Sequence, residues 1–435
     1  MIKEVNIIGA GLAGVEASYQ LAKRGIEVNL YEMKKIKRND VQKLDTFAEL
    51  VCSNSLRSND IHNAAGLMKE ELRKLDSLVI RIADKTKLPA GSALAVDREV
   101  FSRLITEELM NNTKIHIFDK EITKIDLDKY TIIATGPLTS DVLMNEIQNF
   151  LGEDMLYFYD AIAPIIEFDS INMDIAYFKS RYDKGSPDYI NCPMTKEEYD
   201  NWYKEVINAK AVEVKDFEKN IFEGCMPFEE MARRGEKTLL FGPMKPVGLG
   251  KEDKKRPYAV VQLRQDNLRK SLFNIVGFQT HLTFPEQKRI IRMIPGLEKA
   301  NIVRYGIMHR NSFINAPKSI NQYYQSKKNP KIFFAGQLSG IEGYVESIGS
   351  GLIAGINMSR VIRNMDLFEF SQNTALGSQS FYIANTNPAY FQPMNTNFGI
   401  FPDLEIKHHK KQRKELYALR SLKAVEEMIE GGVLE

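Results

Sequence analysis

Three cysteines, Cys52, Cys192 and Cys225, hold most of the nucleophilic chemistry this chain can offer. Cys225 sits in "NIFEGCMPFEEMA" (220–232), a Gly/Pro turn that could expose its thiol, with a small buried hydrophobe as the plain alternative. Cys52 lies in "AELVCSNSLRS" (48–58), beside Ser53, Asn54, Ser55 and Arg57, polar company that favours thiolate over thiol. Cys192, in "INCPMT", has no evident partner and reads as a small buried hydrophobe. None of the three forms a C-x-x-C pair, so no structural zinc site, no other metal and no disulfide framework is expected. Spacing alone leaves open which of Cys52 and Cys225 is catalytic, and only the fold can bring them together.

The second chemical signal is "GAGLAG", in which Gly9, Gly11 and Gly14 make G-x-G-x-x-G. The first glycine serves a tight turn, the second admits a pyrophosphate to the backbone, and the third lets helix and strand pack closely. A helix N-terminus then offers free N–H groups and a favourable dipole to the phosphates. Glu32, ending the next strand, is placed to accept from ribose hydroxyls. Two later strand ends are also rich in small residues: "TIIATG", closing at Gly136, and "KIFFAGQLSGIEGYVESIGSGLIAG", with Gly336, Gln337 and Gly351. A chain that returns to the nucleotide site near its end fits a two-dinucleotide-fold flavoprotein, so FAD rather than NAD is expected there.

These signals need elements to carry them. "EVNII" (4–8) reads as a buried strand, "VEASYQLAKRG" as a helix with Gly25 near its C-cap, and "IEVNLYE" as a second strand, a βαβ start. Residues 64–84 read as one amphipathic helix with the stripe Met68, Leu72, Leu75, Val79 and Ile82. A helix is expected from Arg98, short strands across 114–136, a strand–turn–helix at 329–362, irregular chain at 366–402, and a basic, then mixed, helix at 408–430. From about 155 to 275, aromatics, prolines and charges mix as in an inserted α+β unit. The expected architecture is α/β: a two-dinucleotide-fold-like FAD-binding domain (1–155 and 276–435) interrupted by a smaller α+β domain (156–275).

The 435 residues carry 43% hydrophobic and 27% charged side chains and a formal net charge of +2. That charge announces no nucleic-acid binder by itself, yet it permits local basic patches that meet phosphates. There is no run of eighteen apolar residues and no signal-peptide pattern at the start, so a cytoplasmic protein without a membrane span is expected.

"GAGLAGVEASYQLAKRGIEVNLYEM", "ELVCSNSLRS", "PAGSALAVDRE", "FEGCMPFEEMA", "GPMKPVGL", "RPYAVVQLRQDN", "GFQTHL", "RMIPGLE", "VRYGIMHRNSFINAP" and "EGYVES" occur in that order from Gly9 to Ser347. Together they resemble the folate- and FAD-dependent RNA uracil-5-methyltransferase family. Cys52 and Cys225 fall within these blocks and Cys192 does not. The resemblance implies a thiolate adding to uracil carbon 6, so that carbon 5 becomes nucleophilic enough to attack a one-carbon unit. It implies 5,10-methylenetetrahydrofolate as carbon donor, reduced FAD as hydride donor, NADPH or NADH as the reductant of FAD, and a base that removes the carbon 5 proton. It assigns Cys225 as nucleophile and Cys52 as general base or flavin-site thiol, with their roles exchangeable. The pyrimidine must be flipped out of its stack to reach them.

Arg264, Arg289 and Arg310 lie in or beside these blocks and suit the glutamate tail and flat pterin of folate; each also reads as a structural arginine. His309, in "MHRN", reads equally as a substrate ligand or a core histidine. The run "KHHKKQRK" (407–414) is a candidate for RNA phosphates, with a solvated helix face as its plain alternative. The implied target is a tRNA T-loop uridine; a 23S ribosomal RNA uridine would need the same chemistry, and a flavin-binding RNA chaperone without catalysis is the third reading.

Overall fold

The computed structural model describes residues 4–39, 41–183, 185–213, 226–250, 256–406, 408–409 and 411–435. The opening unit is β1 (Glu4–Ile8), α1 (Leu12–Lys23) and β2 (Glu27–Glu32). Then come β3 (Ser55–Ser58), α2 (Ala64–Lys74), α3 (Leu78–Lys85), β4 (Lys87–Leu88), β5 (Ala93–Val96) and α4 (Arg98–Met110). β6 (Ile115–Asp119), β7 (Tyr130–Ile133) and α5 (Asp141–Leu151) return the chain to the first sheet. Its order is β16-β7-β1-β2-β6, where β16 is Ile332–Phe334, and every pairing is parallel. Val5, Ile7, Ile132, Ile133, Phe333 and Phe334 are fully buried, as expected of strands covered on both faces.

Between β7 and β16 lies a second body. It contains β8 (Leu156–Ala161), β9 (Ile165–Glu167), β10 (Tyr177–Phe178), β11 (Tyr189–Met194), α6 (Lys196–Ile207), α7 (Phe228–Arg233) and α8 (Thr238–Phe241). β12 (Ala259–Gln265), β13 (Leu272–Ile275), α9 (Phe284–Ile291), β14 (Ile302–Arg304) and β15 (Met308–Phe313) complete it. Six of these strands form a sheet ordered β10-β11-β12-β13-β9-β14, whose own core holds Trp202, Tyr199, Phe228 and Phe278. β8 and β15 pair antiparallel as a separate ribbon. The chain ends through α10 (Ala316–Ser319), β16, α11 (Tyr344–Ile362), α12 (Ala375–Asn385) and α13 (Arg413–Glu430).

α1 and α11 cross closely because glycines face alanines. A Cβ on Gly351 would lie 2.3 Å from the Ala13 carbonyl oxygen, and one on Gly355 would lie 3.0 Å from that of Ala17. This crossing fixes α11, and with it the loop that precedes it, against the glycine turn after β1.

Four expectations change. The helix expected over 64–84 is two helices. Asp76 takes a left-handed turn (φ +56°), and Ser77 caps α3 by accepting from the Ile80 N–H. The buried Glu16 carboxylate accepts from Ser77 Oγ and the Val79 N–H, and burial is the main cause that raises its pKa. The boundary expected at residue 275 falls inside the second sheet, since β9 pairs with both β13 and β14. The stretch 366–402, expected to be irregular, contains α12, whose first N–H groups at Ala375 and Leu376 donate to the buried Glu71 carboxylate. The last helix starts at Arg413 rather than 408.

Candidate active site

The carboxyl ends of β1, β2, β7 and β16 open onto one cleft of about 170 Å³. It lies where the strand order reverses between β1 and β7, the usual ligand position in an open α/β sheet. Gly9 (φ +99°) makes the turn, and a Cβ there would lie 2.6 Å from the Ala134 carbonyl oxygen. Gly14 meets Gly9 so closely that its Cβ would lie 1.9 Å from the Gly9 carbonyl oxygen. Gly11 and Gly136 line the cleft, and a Cβ on either would meet nothing within 4 Å. Glu32 lines it too, but its carboxylate already accepts from the Ala10 N–H (2.8 Å) and the Lys34 N–H (2.9 Å). Gly336 (φ +73°) and Gln337 form the wall from β16. Gly351 does not line the cleft; its place is the α1–α11 crossing, where its lack of a side chain admits Ala13.

A second cavity of about 180 Å³ adjoins the cleft through the common walls Val51, Pro137, Gln337 and Tyr344. Cys52, Asp160, His309 and Glu342 line it. The Cys52 loop is pinned from four elements. Arg98, opening α4, donates to the Leu50 carbonyl (2.6 Å) and the Cys52 carbonyl (3.4 Å), and it pairs with buried Asp266 at 3.1 Å. Arg304 of β14 donates to the Val51 carbonyl. The Tyr344 hydroxyl, on α11, accepts from the N–H groups of Cys52 (2.8 Å) and Ser53 (3.2 Å). Arg264 of β12 donates to Asn54 Oδ1 (3.1 Å) and Ser53 Oγ (2.7 Å). Arg264 is therefore buried as a clamp, not held out for a ligand's carboxylates.

The thiol's electrostatics reverse the expectation drawn from its neighbours. Desolvation first, and then the Asp160 carboxylate, push the Cys52 thiol up to about 12, against the opposing pull of Arg98 and Arg304. Arg57, expected to favour the thiolate, turns with φ +62° and pairs with Glu346 instead. Cys52 should therefore alkylate slowly at pH 8 in a Cys225→Ser background. Asp160→Asn should speed it by about tenfold for each unit the thiol falls. Iodoacetamide rates across pH 7–10, read by peptide mass, check this.

Glu342 accepts from Gln337 Nε2 at 2.6 Å, and burial, then Asp160 and Glu346, hold its carboxyl well above the usual range. Cys192 lies fully buried in the second core, where desolvation raises its thiol. Arg289 is exposed on the outer face of α9, paired with Glu286 and Glu205, and lines neither cavity. Arg310 is exposed, its guanidinium 5.5 Å from the centre of the Tyr157 ring. Cys225 lies outside the described residues, as do Lys407 and Lys410 of the basic run. Among the described residues no His/Cys/Asp/Glu group could hold a metal ion, and no helix is long and apolar enough to cross a membrane. Arg98, Asp160, Arg304, Glu342 and Tyr344 were not singled out from the sequence. Tyr344 and Glu342 stand in "EGYVES" and Arg98 in "PAGSALAVDRE", but nothing local marks them as partners of Cys52.

The family model of glucose inhibited division protein A matches residues 4–366. The methylenetetrahydrofolate–tRNA-(uracil-5-)-methyltransferase TrmFO of Natranaerobius thermophilus is 55% identical over 428 residues, 98% of this chain and 99% of the relative. That of Bacillus licheniformis is 56% identical over 430 residues, 98% of both. Among solved structures, Aquifex aeolicus GidA superposes with a TM-score of 0.72 at 16% identity, covering 99% of this chain and 74% of that one, a likeness of fold. The chain is an enzyme of the TrmFO family, within the wider family of glucose inhibited division protein A.

Proposed function

We propose that the protein methylates carbon 5 of a uridine in tRNA, with methylenetetrahydrofolate as carbon donor and FAD bound in the glycine-lined cleft. The observation that carries this reading is the junction of the two cavities, where the Cys52 cavity shares Gln337 and Tyr344 with the nucleotide cleft. The cleft suits a dinucleotide. Gly11 and Gly136 leave open space where any side chain would intrude, and Gly11 precedes the free N–H groups of α1. Glu32, held by two backbone N–H groups, keeps lone pairs for ribose hydroxyls. Gly11, Gly136, Glu32 and the N-terminus of α1 would hold FAD there, and the group, once reduced by NADPH or NADH, would supply hydride chemistry for turning a one-carbon unit into methyl.

The protein's own part begins with Cys225, whose sulfur anion adds to uracil carbon 6. Cys52, whose loop is held by Arg98, Arg304 and Tyr344, lines the adjoining cavity. The relatives' names favour tRNA over ribosomal RNA, and the T-loop uridine is the target proposed.

Transcripts containing 5-fluorouridine trap the carbon 6 adduct, because fluorine cannot leave as a proton. The yellow wild-type enzyme with methylenetetrahydrofolate should give a denaturant-resistant protein–RNA band, and Cys225→Ala should give none. A colourless protein, or an undiminished band in Cys225→Ala, would sink this reading. Mapping 5-methyluridine in tRNA and ribosomal RNA from a deletion strain identifies the target.

A further inference from the structure

We propose that Arg310, held over the Tyr157 ring, stacks against an RNA base beside the flipped target uridine. This rests on the methylation reading above and gives the outer face of the β8–β15 ribbon its partner.

The ribbon has two unlike faces. Directly opposed residues of an antiparallel pair share a face, and the faces alternate along each strand. Asp160 and His309 are opposed, and both line the cavity that holds Cys52. Arg310 is opposed to Tyr159 and Ser312 to Tyr157, so these four stand on the other face. There Arg310 is exposed and the two tyrosines are half-buried.

The Arg310 guanidinium lies 5.5 Å from the centre of the Tyr157 ring, and Tyr159 meets that ring edge-on with centroids 6.1 Å apart. Arg310 has no carboxylate partner among the described residues, whereas Arg289 has two. The ring attracts the cation without neutralising it. A guanidinium is flat on both sides, so one steadied by a ring has room for a second planar group and keeps its charge for a nearby phosphate.

The place suits a base next to the target. The Ser312 N–H donates to the Pro137 carbonyl (3.1 Å), and Pro137 is a wall common to both cavities. The Tyr157 end of the ribbon is thus tied to the junction at which the reading above places the uracil. Flipping that uridine out parts it from its neighbours and bares a face of the base on either side. Bases freed from their stack are taken up on aromatic rings and guanidinium planes. The pterin of folate is flat too, but its carbon has to meet the flavin in the cleft, whereas Arg310 lines neither cavity.

The test measures binding of tRNA transcripts without folate, by filter retention at one fixed salt concentration. Arg310→Lys keeps the charge and loses the plane, and it should weaken binding at least about fivefold, the lower end for one stacked base. Tyr157→Phe should bind as wild type does, since the ring and not the hydroxyl holds the cation. In transcripts with an abasic nucleotide on one side of the target or the other, the Arg310→Lys loss should shrink to under about twofold for one of the two, because the stacked base is gone. A loss that persists in both abasic transcripts makes Arg310 a phosphate contact and overturns the proposal. Wild-type affinity in Arg310→Lys overturns it as well, and a raised KM for methylenetetrahydrofolate in that variant would then put the pterin there. If the wild type binds no tRNA at all, the methylation reading itself fails.

Discussion

Arg98→Met is expected to destabilise the protein by about 3–5 kcal/mol, the cost of leaving a buried carboxylate without its cation. Arg98 and Asp266 are both buried, and the guanidinium also holds the Leu50 and Cys52 carbonyls. Methionine fills similar volume but donates nothing, so Asp266 is stranded and two carbonyls lose their donor. Lysine would keep a charge but could not span three acceptors from one planar fork. Much of the loss should return in Arg98→Met/Asp266→Leu, because a buried pair exchanged for apolar groups is often neutral in stability. The slow alkylation of Cys52 should not return with it, since Leu50 and Cys52 stay unpinned. Denaturant melts of the two variants, with alkylation rates beside them, check both parts; a single-variant loss under about 1 kcal/mol would remove Arg98 from its structural role.

The dinucleotide cleft was legible because its causes are local. Gly9, Gly11 and Gly14 answer to one another and to the strand and helix that flank them, so six residues carry the geometry. The late return was legible for the same reason: "KIFFAG" is a buried strand ending at a glycine with positive φ. Gly351 misled because a glycine that admits a neighbouring helix and one that admits a ligand look alike in sequence.

The chemistry of Cys52 was not legible. Its sequence neighbour Arg57 points to Glu346, while the charges that act on the thiol arrive from α4, β8 and β14. Beside burial, the carboxylate that raises the thiol most, Asp160, lies on the second body's ribbon, so the shift has the opposite sign to the one its neighbours suggest. The arginines show the same limit. Arg264, Arg289 and Arg310 share a residue type, yet one is a buried clamp, one an exposed helix pair and one a cation over a tyrosine ring. Which acceptor an arginine finds is decided by partners far along the chain. The break at Asp76–Ser77 leaves no mark in the apolar stripe, because Met68, Leu72, Leu75, Val79 and Ile82 keep helical spacing across it.

The second and third glycines of the fingerprint should fail differently, and the difference separates packing from ligand room. Gly14→Ala puts a methyl where the Gly9 carbonyl oxygen lies 1.9 Å away, a contact between α1 and the turn after β1 that no side-chain rotation relieves. The helix must withdraw or the turn must open, at about 1–3 kcal/mol or more. Either shift takes the helix N-terminus away from the phosphates, whose stabilisation falls off within the first turn. Gly11→Ala meets no protein atom within 4 Å, so the fold should be kept; its methyl stands in the cleft where the pyrophosphate would pass. Purified Gly14→Ala should therefore be colourless, with a lower thermal midpoint than wild type stripped of flavin. Gly11→Ala should lose at least tenfold in flavin affinity, while its stripped form melts with stripped wild type. Absorbance near 450 nm and paired melts read this directly. Equal midpoints for stripped Gly14→Ala and stripped wild type would mean that α1 can move without cost, and the close packing of helix on turn would no longer explain the third glycine.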